Sequence, residues 1–220
     1  MAMLDSCNGP IAPEKVELGF AYFPLQTGEV RIYDVEKIEH KVNQTSDTSH
    51  FQLKEVVGEV FSSSGETSYR LERYVRETEN DEWRIDSVWF ARRNTYQAIV
   101  VENNLPIIKL SFPLEENRRW DGNAMNARDY DEFKMVNLGK SFNLDDNMFD
   151  STVELVKEEI LPPIQSFTDN YHKEIFARGI GMIYRIDIDR QYCPPELCMP
   201  GQIEFGLEVE YKLMEYQQVE

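Results

Sequence analysis

Near the C-terminus twelve consecutive residues alternate in character: Ile203, Phe205, Leu207, Val209, Tyr211 and Leu213 against Glu204, Gly206, Glu208, Glu210, Lys212 and Met214. Only a pleated strand sends every second side chain to one face, so this segment must lie half-buried in a sheet. At about 3.3 Å per residue it runs about 40 Å, longer than an ordinary strand. A sheet built on such a strand is tall, curved or bent, and Gly206 marks a bend within it.

The same period extends upstream. Met182, Tyr184, Ile186 and Ile188 alternate with Ile183, Arg185, Asp187 and Asp189, which pairs this segment with the last strand as a long hairpin. Phe51, Leu53, Val57 and Phe61 point one way, and the Ser62–Gly65 cluster turns the chain into Tyr69, Leu71 and Val75. Glu79-Asn80-Asp81 turns it into Trp83, Ile85 and Trp89, which share parity and are expected in the core. Arg93-Asn94 and Asn103-Asn104 deliver two more strands, at Tyr96–Val100 and Ile107–Phe112, and two others are expected at Tyr130–Val136 and Thr152–Lys157. Turn signals at roughly 8–14-residue spacing describe an antiparallel meander and exclude βαβ units. The expected fold is all-β, or β-rich with one short helix, curled into an open or closed barrel. Ile164, Phe167, Tyr171 and Ile175 have helical spacing, with Pro163 in the first turn and Gly179 past the end. The competing reading makes Lys173–Ala177 a strand turning through Arg178–Gly181 into the Met182 strand.

Charge narrows the function classes. Lys and Arg number 23 against 40 Asp and Glu, a net charge of −17, and such a field repels nucleic acid and anionic lipid headgroups. No nucleic-acid partner is expected. There is no apolar run of the roughly 18 residues that spans a bilayer. Residues 1–19 are expected to form a tether and linker, and 20–220 a single β-rich domain.

The cysteines bear on compartment. Cys193 and Cys198 flank a proline-bent gap short enough for a local disulfide, and the alternative is a pair of reduced thiols. The third, Cys7, ends Leu4-Asp5-Ser6-Cys7, which resembles the lipobox of bacterial lipoproteins, where the cysteine receives lipid. This reading requires signal residues ahead of Met1. The other reading is a free cysteine in a tail.

Four further segments add up to a likeness: Tyr22-Phe23-Pro24-Leu25-Gln26-Thr27-Gly28, Leu114 to Asp121 running into Gly122-Asn123, Phe149-Asp150-Ser151-Thr152-Val153, and Phe176-Ala177-Arg178-Gly179-Ile180-Gly181. In this order they resemble uncharacterised bacterial envelope lipoproteins that open on YFPLxxG and carry an A[KR]G[VI]G hairpin before a late strand. The resemblance implies a β-rich domain in the cell envelope, at the periplasm or the cell surface, held to a membrane only through a lipid on Cys7. It brings no catalytic residues. Gly179 and Gly181 read as backbone devices at a strand connection.

Catalytic chemistry is not expected. Three histidines, His40, His50 and His172, are scattered, and neither G-x-S-x-G nor H-E-x-x-H occurs. No cofactor is implied. Asp145, Asp146 and Asp150 form the best oxygen-rich loop for calcium, but they lack the glycine and distal glutamate of an EF-hand, so the bland reading is a solvated turn. Trp120, between Arg119 and Asp121, is the candidate exposed aromatic for a ligand. Three functions follow: binding a lipid or other apolar ligand inside a curved sheet, a structural or protein-interaction role in the envelope with a filled core, or glycan binding.

Overall fold

The computed structural model describes residues 18–218, apart from 43, 64, 158–166, 195 and 200. Twelve strands follow one short 3-10 turn at Phe20–Tyr22: β1 (Val30–His40), β2 (Asp47–Ser63), β3 (Glu66–Arg76), β4 (Arg84–Arg93), β5 (Gln97–Glu102), β6 (Leu105–Ser111), β7 (Arg119–Asp121), β8 (Glu132–Leu144), β9 (Asn147–Lys157), β10 (Thr168–Ala177), β11 (Gly181–Tyr192) and β12 (Ile203–Gln217). All pair antiparallel in one sheet ordered β6-β5-β4-β3-β2-β1-β12-β11-β10-β9-β8-β7. The sheet curls into a nearly closed barrel, with one unsealed seam between β6 and β7.

Point contacts bridge that seam in place of a ladder. The Ile108 N–H donates to the Gly122 carbonyl at 3.0 Å. The Trp120 indole N–H donates to the Ile108 carbonyl at 2.9 Å, and Asn126 Nδ2 donates to the Pro106 carbonyl at 2.9 Å.

The Phe20–Phe23 segment packs into the main core. Arg93 Nη1 donates to the carbonyls of both Phe20 and Phe23 at 2.7 Å, and Tyr22 and Phe23 are buried in the main core with Val57, Leu110, Leu155 and Phe176. The segments that carry the lipoprotein likeness meet here. Gly179 N–H bonds the Ala21 carbonyl, the Tyr22 hydroxyl bonds Ser151 at 2.7 Å, and Leu114 N–H bonds the Leu18 carbonyl. Gly179 and Gly181 have φ of +79° and +92°, the left-handed region that favours glycine, so the β10–β11 turn can present its carbonyls to Arg31 and Tyr216.

Three expectations are corrected. Thr168–Ala177 is strand β10 and turns through Arg178–Ile180 into β11, the second of the two readings for this segment, so the helical stripe is not formed over those residues; Pro163 and Ile164 lie outside the described residues. Trp83 and Ile85 do not share the core face with Trp89. Asp86 is an extra residue between Ile85, paired with Tyr74, and Ser87, paired with Arg73, and this bulge switches the face. Trp83 therefore stacks against Lys54 and Arg76, with the cations 4.6 and 4.3 Å from its ring centroid, and Ile85 is 64% exposed. The far end of β12 is also less buried than its alternation suggests: Phe205 and Leu207 stand exposed, while Val209, Tyr211 and Leu213 join a core cluster.

Candidate functional site

The inner face of the barrel is charged. Along β2, Glu55 stands between Leu53 and Val57. Along β3, Arg73 stands between Leu71 and Val75, and along β5 Glu102 follows Val100. Register then brings opposite charges together. Arg31 of β1 lies directly across from Glu55, and Glu55 across from Arg73; on the other wall His172 pairs with Asp187 and Glu174 with Arg185. Side chains directly across an antiparallel pair are neighbours, so the pairing that builds the sheet also builds the ion pairs.

Two networks result. In the first, Arg31 Nη2 is 3.2 Å from Glu29, its Nη1 is 3.7 Å from Glu55, and its Nε donates to the Ile180 carbonyl at 2.6 Å. In the second, Lys109 Nζ of β6 holds Glu102 at 2.7 Å and Glu174 at 2.6 Å; Arg185 reaches the same two carboxylates at 3.4 and 3.5 Å and bonds Asp187 at 2.6 Å. His172 Nδ1 bonds Asp187, and its Nε2 lies 3.3 Å from Glu174, too poorly aligned for a hydrogen bond. The His172 ring stacks on Phe133 at 5.5 Å.

In the second network the electrostatics favour the charged forms. Burial alone would raise the Glu174 carboxyl, but Lys109, His172 and Arg185 outweigh it and hold it well below the usual carboxylate range. Asp187 is held low in the same way by Arg185 and His172, and Glu102 by Arg185 and Lys109. Lys109 and Arg185 are pushed up against the opposing effect of burial by the carboxylates around them. His172 is raised too, because Glu174 and Asp187 more than offset its desolvation. A general acid or base works best with a pKa near the operating pH. In this network the carboxylates and permanent cations move away from neutrality, as a structural ion network requires.

The two networks wall a cavity of about 60 Å³ that also borders Trp89, Ala91 and the Phe23–Leu25 segment. This is less than half of the roughly 150 Å³ that takes one benzene ring.

The residues singled out by sequence lie elsewhere. Trp120 is half-buried at the seam, with its N–H spent on Ile108 and its ring edge-to-face with Phe133 at 6.3 Å, so it is a closing residue and not an exposed platform. Asp145 and Asp146 sit exposed at the β8–β9 tip, and among the described residues no group of three carboxylate, His or Cys side chains is placed to hold a metal ion, Asp150 included. Cys193 and Cys198 are joined as a disulfide with Cα atoms 5.9 Å apart. Cys7 lies outside the described residues. The interior network was missed, although it left a signal: an ionisable residue at core parity between two apolar ones, repeated with opposite sign on the next strand.

No family model matches the sequence, and no curated protein matches it. Two solved structures are similar, each covering 89% of this chain and 98% of its own, with a TM-score of 0.42. One is a Bacteroides fragilis protein inferred to be exported, with a YmcC-like fold, at 12% identity. The other is a Parabacteroides distasonis protein inferred to be a lipoprotein, at 10% identity.

Proposed function

We propose that this chain is a non-enzymatic, lipid-anchored protein of the bacterial envelope whose barrel is a filled scaffold for contacts with other envelope components, and not a container for lipid. The observation that carries this is the charge-filled centre of the barrel. Glu29, Glu55, Glu102, Glu174 and Asp187 are balanced there by Arg31, Arg73, Lys109, Arg185 and His172, and about 60 Å³ is left between them. The larger hollows, about 420 Å³ beside Lys37, Asp189 and Leu207 and about 580 Å³ beside Phe51, Val75 and Arg76, are open and lined by charged and polar groups as well as apolar ones. Pockets for drug-sized apolar ligands are about 300–1,000 Å³ and mostly apolar. An acyl chain would have to displace ion pairs whose separated charges are expensive to bury. The Cys193–Cys198 bridge fits an oxidising compartment, and Cys7 supplies the point of attachment.

Two measurements test the two halves of this reading. Organic extraction of the purified protein followed by mass spectrometry should release no stoichiometric lipid, and fatty acid added to it should show no saturable uptake; an acyl chain recovered at one per barrel would sink the scaffold reading. Full-length protein expressed in a bacterial host and fed an alkyne-tagged fatty acid should incorporate label, and Cys7→Ser should abolish it. Equal labelling of the variant overturns the anchor.

A further inference from the structure

The two ionic networks differ in how well they are closed. Lys109, Glu102, Glu174, Arg185 and Asp187 make direct charged hydrogen bonds or contacts of 3.5 Å or less. Arg73 does not. It is 8% exposed as a side chain, and among the described residues its only ion-pair neighbour is Glu55 at 3.9 Å and its Nε has no hydrogen-bond partner. Its guanidinium lies 3.7 Å from the ring centroid of Trp89, a stacking contact that fixes the plane of the fork without using its N–H groups. Trp89 Nε1 is likewise buried and unpaired, and both residues border the cavity. Buried N–H groups of this kind cost free energy until an acceptor meets them.

The charge of the cavity wall points the same way. Arg31, Arg73, Lys109 and Arg185 line it with Glu55, Glu102 and Glu174, and Glu29 and Asp187 stand behind Arg31 and Arg185, so Arg73 is the lining cation whose nearest carboxylate is farthest away. A water molecule needs about 10–15 Å³ of such space and benzene about 150 Å³, so a cavity of about 60 Å³ suits a guest of three or four heavy atoms. We propose that the barrel cavity binds a small monovalent oxyanion, a short carboxylate or an inorganic anion of the same size and charge, with the Trp89-stacked guanidinium of Arg73 as its principal ligand. The planar fork of arginine matches two oxygens of such an anion. The inference goes beyond the scaffold reading and does not depend on it, since a guest this small leaves the ion pairs in place.

The test is titration of the intact chain with sodium formate, acetate and nitrate at constant ionic strength against chloride, followed by thermal shift and intrinsic tryptophan fluorescence. The expected result is a saturable upshift with at least one of the three, together with a change in emission from Trp89. Response to formate and acetate only identifies a carboxylate guest; response to nitrate as well identifies oxyanions in general. Arg73→Lys keeps the charge and loses the fork, and should weaken binding about tenfold or more. Ala91→Val fills the cavity without touching a charge and should abolish the response, so it decides the matter if Arg73→Lys does not fold. No saturable response to any of the three, or unchanged affinity in Ala91→Val, overturns the proposal.

Discussion

Replacing Lys109 by methionine removes one cation from the most buried part of the network while keeping side-chain length. The side chains of Lys109, Glu102 and Glu174 are 5%, 11% and 1% exposed, and the ammonium sits 2.7 and 2.6 Å from the two carboxylates. Without it, Glu102 and Glu174 face the Arg185 guanidinium at 3.4 and 3.5 Å, which Asp187 already shares at 2.6 Å, with His172 3.3 Å from Glu174. Stranding a buried charge in this way costs about 3–5 kcal/mol, whereas an exposed pair of the same geometry contributes about 0–1 kcal/mol. The measurement is the urea midpoint at unchanged m-value, supported by Tm, which in a chain of this size falls by about 2–4 °C per kcal/mol. Adding Glu174→Gln restores the balance by leaving Glu102 opposite Arg185. The double variant should therefore be more stable than the two single losses predict by about 1–3 kcal/mol. A cost under about 1 kcal/mol for Lys109→Met, with additive losses in the cycle, would falsify the argument: it would mean that water already reaches these groups and that the interior has room the scaffold reading denies it.

Three further outcomes follow from the same structure. Stability should pass through a maximum in mildly acidic solution: the share from His172, whose folded pKa is raised, is complete below about pH 6.5 and is lost as pH rises through the raised value, whereas the share from Glu102, Glu174 and Asp187, whose folded values are depressed, is present above about pH 4.5 and is lost as pH falls toward them, so chemical denaturation across that range should give a dome and not a plateau. Trp120→Phe removes the 2.9 Å bond to the Ile108 carbonyl and should cost about 1 kcal/mol, with faster amide exchange concentrated at the β6–β7 seam; protection there equal to that of the native chain would show that the indole does not close it. Gly206→Ala drives a Cβ into the Asp189 carbonyl oxygen and sets it 2.9 Å from Arg190 Cα, both backbone atoms, and should lose about 1–3 kcal/mol, while Gly58→Ala, whose nearest neighbour is at 3.4 Å, serves as the control and should be neutral or mildly stabilising in calorimetry.

The parts of this fold that could be read from sequence are those where one face of a strand is apolar and the other is not. β12 met that condition, with Glu208 and Glu210 outside and Val209 and Tyr211 inside, and so did the β2–β3 hairpin as far as Val57, beyond which a bulge leaves Phe61 exposed against Phe90. β11 turns its apolar face, Tyr184, Ile186 and Ile188, outward and Arg185 and Asp187 inward, and β10 inverts the pattern with it. Its inward residues are His172 and Glu174, while Tyr171 and Ile175 face outward; Ile175 packs in one cluster with Phe142, Leu144 and Phe149 from the β8–β9 tip, which folds back over the sheet after the positive-φ residues Asn137 and Gly139. With apolar residues on the outside and charges within, period two vanished and the spacing of Phe167, Tyr171 and Ile175 imitated a helix. The candidate site was obscured for the same reason. Arg31, Glu55 and Arg73 occupy core parity on three successive strands, and taken singly each is a break in the pattern. Taken in register, and with Glu29 beside Arg31, they cancel, and the cancellation is what lets a barrel keep charge on its inner face. Reading such a chain therefore requires the pairing of strands as well as the parity within each one: a charge at a core position counts against a strand unless its opposite stands at core parity on the neighbour, in which case it counts for the pair.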